Sequence, residues 1–185
     1  MSTPAPWLIT VTGASGAGKT TLVRSLESRR DPGVKCYYFD SVGVPSPEEM
    51  ARDYGSGEAW QAAMTDQWIR RLARNPDDAR VMVLDGQVRP SVLHEAFERY
   101  EVQRGEIILI DCARAVREAR LTNDRGQAEL ASQQMAEWAA YLRGQADALR
   151  LRIVDTTNLS RAEAELGFCR MIQSRIHTDI GTDGK

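Results

Sequence analysis

The sequence predicts a parallel α/β fold, a three-layer α/β/α sandwich around a five-stranded sheet. Three observations predict it. Short apolar runs alternate with longer helical patterns along the 185 residues, as strands and crossover helices must. The first apolar run leads straight into a glycine-rich turn and then a helix. Each of the later runs gives way to an aspartate, which puts acidic side chains at the carboxyl edge of a parallel sheet, where open α/β folds keep their ligand crevice.

The first strand is Trp7 to Thr12, followed by a helix from Lys19 to about Arg29 that Asp31-Pro32-Gly33 breaks. Val34 to Phe39 is the second strand, ending on Asp40. Val81 to Leu84 is the third, ending on Asp85; Glu106 to Ile110 is the fourth, ending on Asp111; Leu151 to Val154 is the fifth, ending on Asp155. A single strand-end Asp is more often a cap or turn former than a functional group, so the weight lies in their convergence. Between strands two and three, residues 41–78 exceed a minimal crossover. Pro45-Ser46-Pro47 and Gly55-Ser56-Gly57 punctuate them, and Glu58 to Ala73 then reads as a helix. Its Trp60, Met64, Trp68 and Leu72 fall four apart on one face. Trp68 and Leu72 read as core, whereas Trp60, beside the glycine break, is expected to face a substrate under a covering insertion. Gln127 to Arg150 is a second long helical stretch whose Met135, Trp138 and Leu142 read as packing, and Arg161 to Ile172 forms the last helix behind an N-capping Ser160. Residues 1–177 are thus expected to form one domain, with 178–185 a polar, flexible tail.

Composition bounds the function. With 42% hydrophobic and 27% charged residues, the chain suits one well-cored domain. A net charge of −2 argues against general nucleic-acid binding, which requires a basic face. Cys36, Cys112 and Cys169 are odd in number and lack metal-ligand spacing, so they read as reduced thiols. Met1 to Trp7 lacks a basic segment followed by an apolar core, and no apolar run approaches the roughly 20 residues that span a bilayer. A soluble cytoplasmic protein, monomeric or homodimeric and without membrane partners, is expected.

The chemistry lies in Gly13-Ala14-Ser15-Gly16-Ala17-Gly18-Lys19-Thr20, which fits the P-loop pattern at every specified position and sits between a strand and a helix as it must. Its glycines let successive backbone N–H groups point inward onto phosphate oxygens. The helix N-terminus adds unpaired donors and the positive end of its dipole. Lys19 supplies a point charge to the terminal phosphates, the Thr20 hydroxyl suits Mg²⁺, and Thr21 is a further phosphate contact. ATP and Mg²⁺ are therefore the expected ligands.

Asp85-Gly86-Gln87-Val88-Arg89-Pro90 resembles the Asp-Gly-Phe-Pro-Arg segment of adenylate kinase and its relatives, keeping the Asp, Gly and Arg and losing the aromatic and the proline between them. The resemblance implies that Asp85 holds the metal through water and that Arg89 grips the acceptor. Asp40, in Tyr38-Phe39-Asp40-Ser41, resembles the acidic residue that shikimate kinase, gluconate kinase and chloramphenicol phosphotransferase set against the accepting hydroxyl. Arg114, Arg117, Arg120 and Arg125 resemble the lid entry of the same kinases, in a lid region of about 114–130. Arg120 and Arg125 best fit the paired lid arginines that stabilise transferring charge, although their spacing is longer than in adenylate kinase. A solvated helix end accounts for Arg114 and for Arg117. Val154-Asp155-Thr156-Thr157-Asn158-Leu159-Ser160 is similar to the run after strand five that passes the adenine edge, which makes Asn158 a base contact. Overall the chain resembles bacterial P-loop ATPases of the small-kinase type.

The expected function is transfer of the γ-phosphoryl of Mg-ATP to a hydroxyl of a small-molecule acceptor. Lys19, Asp40, Arg120 and Arg125 would be catalytic, and Asp40, Trp60 and Arg89 would contact the acceptor. A nucleoside-monophosphate kinase is the first alternative, and a nucleotide-dependent switch without an acceptor the second.

Overall fold

The structure is a computed structural model and describes residues 5–177; the tail expected at 178–185 lies outside the described residues. Five strands form one parallel sheet: β1 (Trp7–Thr12), β2 (Val34–Tyr38), β3 (Val81–Asp85), β4 (Gly105–Asp111) and β5 (Arg152–Asp155), in the order β2-β3-β1-β4-β5. Register aligns their carboxyl ends, with Asp85 opposite both Val11 and Tyr38, and Asp111 opposite Asp155. The chain leaves β1 for the β2 edge, returns to β3, and then crosses to β4 on the other side of β1. The glycine-rich loop therefore opens at the topological switch point, where a crevice forms between diverging connections.

Both faces of the sheet are covered, so the inner strands are apolar at nearly every position rather than at alternate ones. On one face Ile9, Val11, Val83, Ile108 and Ile110 pack against α1 (Lys19–Ser28) and α7 (Arg161–His177), which contribute Leu22, Val23 and Leu26, and Phe168 and Ile172. On the other, Leu8, Met82 and Leu84 pack against α3 (Gly57–Leu72) and α4 (Pro90–Arg99). Leu109 meets Leu142 and Ala146 of α6 (Gln133–Ala148). Each fully buried aliphatic side chain contributes about 1.5–3 kcal/mol. The short α5 (Arg114–Ala119) runs into a π-helical segment at Arg120–Asp124.

The insertion carries a helix that apolar periodicity did not reveal, α2 (Pro47–Tyr54), none of whose residues is buried. Its ends define it instead. Ser46 Oγ accepts from Glu49 N at 3.2 Å, the Glu49 carboxylate accepts from Ser46 N at 2.8 Å, and Pro47 opens the first turn. Gly55 closes it with φ of 87°.

Trp60 corrects a sequence expectation. It is 7% exposed and packs edge-on against Phe39, with ring centroids 5.9 Å apart and planes at 89°. The four-residue stripe of α3 stays on the core face through its first turn, where Trp60 and Met64 join Trp68 and Leu72 in one buried cluster. Trp60 therefore packs against the strand-two exit and does not line the cavity at the mouth of the P-loop. Among the described residues, no helix is long and apolar enough to cross a membrane.

Candidate active site

The loop between β1 and α1 has room for glycine alone where it bends. Gly13 has φ of 147°, and a Cβ there would lie 2.2 Å from the Ile110 carbonyl oxygen. Gly16 has φ of 81°, and its Cβ would meet Leu121 and Arg117 at under 3 Å. Gly18, with φ of 105°, is the N-cap of α1, so the free N–H groups of the first turn face the loop interior. Lys19 folds back across this cradle, its Nζ donating to Ala14 O at 3.1 Å. Burial pushes its ammonium down to about 8, and neighbouring Arg125 acts in the same direction, while Asp85 and Asp40 oppose the shift.

Thr20, the next residue, turns its hydroxyl to Asp85 Oδ2 at 2.6 Å. Asp85 is 6% exposed, and its Oδ1 is buried without a hydrogen-bond partner. Desolvation raises its pKa, and the Thr20 hydrogen bond and Lys19 hold it back. A buried carboxylate oxygen with nothing to bind, beside a P-loop hydroxyl, fits Mg²⁺, a hard cation that takes one or two protein oxygens and completes its shell with water and phosphate.

Asp40 reaches the same place from β2. It lies in a 3₁₀ turn, Phe39–Val42, and lines a cavity of about 260 Å³ together with Ser15, Lys19, Thr20, Asp85 and Arg125. Gly86 makes the approach possible, since a Cβ there would stand 2.7 Å from Phe39 Cβ. The exits of β2 and β3 can pack this closely only across a glycine. Thr12 then fastens the β3 exit to the end of β1, its hydroxyl donating to Val88 O at 2.5 Å and accepting from Val88 N at 3.2 Å.

The other two strand-end aspartates are structural. Asp111 accepts from the following Cys112 N–H at 2.9 Å and from Arg143 at 3.2 Å. Asp155 accepts from Thr157 N at 2.8 Å, and hydrogen bonds from Thr157 hold its carboxyl below the usual range.

A second cavity, about 450 Å³, opens between the loop and the connection from β5 to α7. Gly16, Thr21, Arg120, Thr156, Leu159 and Ser160 are among its walls, and Leu159 is 40% exposed there. Asn158 is not, which corrects its expected base contact. A turn closed by Leu159 N and Thr156 O at 3.4 Å leaves Asn158 exposed at its outer corner and turns Leu159 inward. The apolar residue that directly follows Asn158 lines the cavity instead.

The arginines also divide differently from expectation. Arg114 is exposed, paired with Glu118. Arg117 is 4% exposed instead of solvated; it packs under Gly16 and donates to Cys112 O at 3.2 Å. Arg120, expected over the transferring phosphate, donates to Ala17 O at 3.2 Å and to Thr156 Oγ1 and O at 2.9 and 3.1 Å. It clamps the P-loop to the β5 exit. Arg125 is exposed and borders both cavities, within electrostatic reach of Lys19. The long spacing between the two has a cause: a π turn closes from i to i+5, and Arg120–Asp124 is such a turn.

Arg89 stands apart from the phosphate cradle. Its guanidinium pairs with Glu58, donates to Gln61 Oε1 at 2.8 Å and lies 5.0 Å over the Trp138 ring. It lines a wider groove of about 840 Å³. Gln87, a residue the motifs did not single out, joins this groove to the Asp40 cavity because it lines both. Its Oε1 accepts from Ser15 Oγ at 2.9 Å, and its carbonyl from Gln61 Nε2 at 2.9 Å. Position two after Asp85 was the available signal. Arg24 was also missed; one helical turn beyond Thr20, it borders the same cavity.

No family model matches the chain, and no curated protein does. Solved structures do share its architecture. The shikimate kinase of Acinetobacter baumannii, solved in complex with shikimate, superposes with a TM-score of 0.60 at 16% identity over 94% of each chain. A gluconokinase from Sinorhizobium meliloti does so with a TM-score of 0.60 at 18% identity, over 95% of this chain and 99% of that one. The shikimate kinase of Bacteroides thetaiotaomicron gives 0.58 at 17% identity, over 92% and 98%. At such identities the likeness establishes architecture: this chain has the P-loop α/β fold of the small kinases.

Proposed function

We propose that the protein is an ATP-dependent phosphotransferase that moves the γ-phosphoryl group to a hydroxyl of a small molecule. One observation carries the reading: Lys19, Thr20, Asp85, Asp40 and Arg125 surround a single cavity at the mouth of the P-loop. A carboxylate free to accept a proton, facing the cationic end of a phosphate cradle, is what a hydroxyl acceptor needs and what a phosphate acceptor does not.

The nucleotide's base and ribose would occupy the cavity beside Leu159, with its phosphates in the loop. Asp40 accepts the proton of the acceptor hydroxyl as the new O–P bond forms and the bridging bond to the β-phosphate breaks, releasing ADP. Lys19 and Arg125 meet the charge on the transferring group. Thr20 and Asp85 would hold Mg²⁺, which when bound neutralises charge on the β- and γ-phosphates. The α3 end of the insertion borders the acceptor side, and residues around 114–130 border the donor side.

The nucleoside-monophosphate kinase reading is disfavoured because Glu58 already pairs with Arg89, the arginine it needs for an acceptor phosphate. An ADP-release assay with Mg-ATP against polyols, sugars, nucleosides and aminoglycosides tests the proposal. Stimulation by at least one hydroxyl compound is expected, and uniform background hydrolysis across the library would overturn it.

A further inference from the structure

The groove beside Gln87 has a composition that selects among acceptors. Its only cation among the described residues, Arg89, is paired with Glu58 and hydrogen-bonded to Gln61. Two more carboxylates, Glu129 and Glu137, line the groove, both exposed. Between them Trp138 and Tyr141 stack, with centroids 5.4 Å apart and planes at 22°. Tyr141 is 45% exposed and is pinned by Gln145 Nε2 to its hydroxyl at 2.7 Å, while Gln145 also bonds Ser91 of α4. The aromatic wall is thus braced before any ligand arrives.

An anionic molecule entering this groove meets three carboxylates and must break the Arg89–Glu58 pair to find a cation. An ammonium group meets the reverse: carboxylates for charge, and the exposed ring of Tyr141, whose face attracts cations. The Trp138 ring already carries a guanidinium in that manner. Gln87 borders both spaces and contacts the P-loop through Ser15, so the groove adjoins the Asp40 cavity.

We infer that the acceptor is a hydroxyl compound carrying an ammonium group, of the amino sugar or amino alcohol class, bound in the groove between Glu58, Glu129, Glu137 and the Trp138–Tyr141 stack. The inference rests on the phosphotransferase reading and narrows its substrate. Transfer to the hydroxyl leaves the ammonium unchanged as the recognition group.

Matched probes test it: amino sugars and amino alcohols, their N-acetylated forms, and the corresponding sugar acids and sugar phosphates, each in the ADP-release assay. The amines are expected to exceed both other sets in kcat/KM by about tenfold. In Glu129→Gln/Glu137→Gln, KM for the best amine is expected to rise about tenfold, with less than about a twofold change for its N-acetylated form. Preference for the acids or phosphates, equal use of N-acetylated forms, or a parallel change of both KM values in the double variant would overturn the inference while leaving phosphotransfer intact. Silence of every probe set beside stimulation by a neutral polyol, sugar or nucleoside would also overturn the inference alone, whereas silence of these probes and of the whole hydroxyl library would remove the phosphotransferase reading and the inference with it.

Discussion

The Thr20 hydroxyl donates to Asp85 Oδ2 at 2.6 Å, joining residues 65 positions apart and leaving Asp85 Oδ1 buried with no partner. An unpaired buried carboxylate oxygen costs free energy in the ligand-free protein, so its retention at the phosphate cradle points to a ligand that completes it. Asp85→Asn keeps the shape and removes the charge. Turnover is expected to fall roughly 10²-fold, with the Mg²⁺ concentration for half-maximal activity rising. A Mg²⁺ titration checks this, and an unchanged midpoint would separate Asp85 from the metal.

Asp40 differs from Asp85 in being exposed and in reaching the cavity from the exit of β2. Asp40→Asn is expected to lower acceptor-dependent turnover by roughly 10²- to 10⁴-fold while ATP affinity changes little. Nucleotide affinity measured by calorimetry alongside the rate distinguishes loss of a base from loss of the site.

Lys19 is held at about 8 against 10.5 in the unfolded chain. In the ligand-free protein it therefore loses its proton as pH passes about 8, whereas nearby phosphates favour the charged form. Nucleotide binding is expected to take up protons, from almost none at pH 6.5 to nearly one per site at pH 9. Calorimetry in buffers of different ionisation enthalpy reads the uptake, and Lys19→Met abolishes it. The folding effect has the opposite sense to an ion pair: the desolvated charge destabilises the ligand-free protein below about pH 8 and is relieved between about 8 and 10.5.

Arg120 and Arg125 are expected to separate kinetically. Arg125→Ala removes charge from the phosphate mouth and should lower kcat by roughly 10²- to 10³-fold with ATP KM within a few-fold. Arg120→Ala breaks the clamp to Ala17 and Thr156, so ATP KM should rise and thermal stability fall by about 1–3 kcal/mol. Steady-state kinetics with a thermal melt of each variant checks the division, and a selective kcat loss in Arg120→Ala would reverse the assignment.

The sheet was legible because its strands are short, apolar and punctuated, and all five strands fall where the pattern places them, with ends shifted by a residue or so. The helix α2 was hidden because it buries nothing, and only its capping chemistry marks it. Trp60 was misread because helical periodicity gives a face but no statement of where that face stops being core. Asn158 was misread because turn residues are visible in sequence, while the direction of the side chain beyond the turn depends on the whole connection.

Gly13 to Thr20 needed no tertiary information: the motif's chemistry is local, set by backbone freedom at its glycines and by a helix N-terminus. Sequence alone determined the P-loop motif, the strand-end aspartates and the parallel sheet that gathers them. Tertiary structure decided which of those aspartates line the P-loop cavity, since Asp111 and Asp155 close turns while Asp40 and Asp85 border it beside Lys19. It also decided which arginines remain free. Ion pairs such as Arg89 with Glu58 join residues distant in the chain, and a partner that only folding brings near leaves no local trace in the residues themselves.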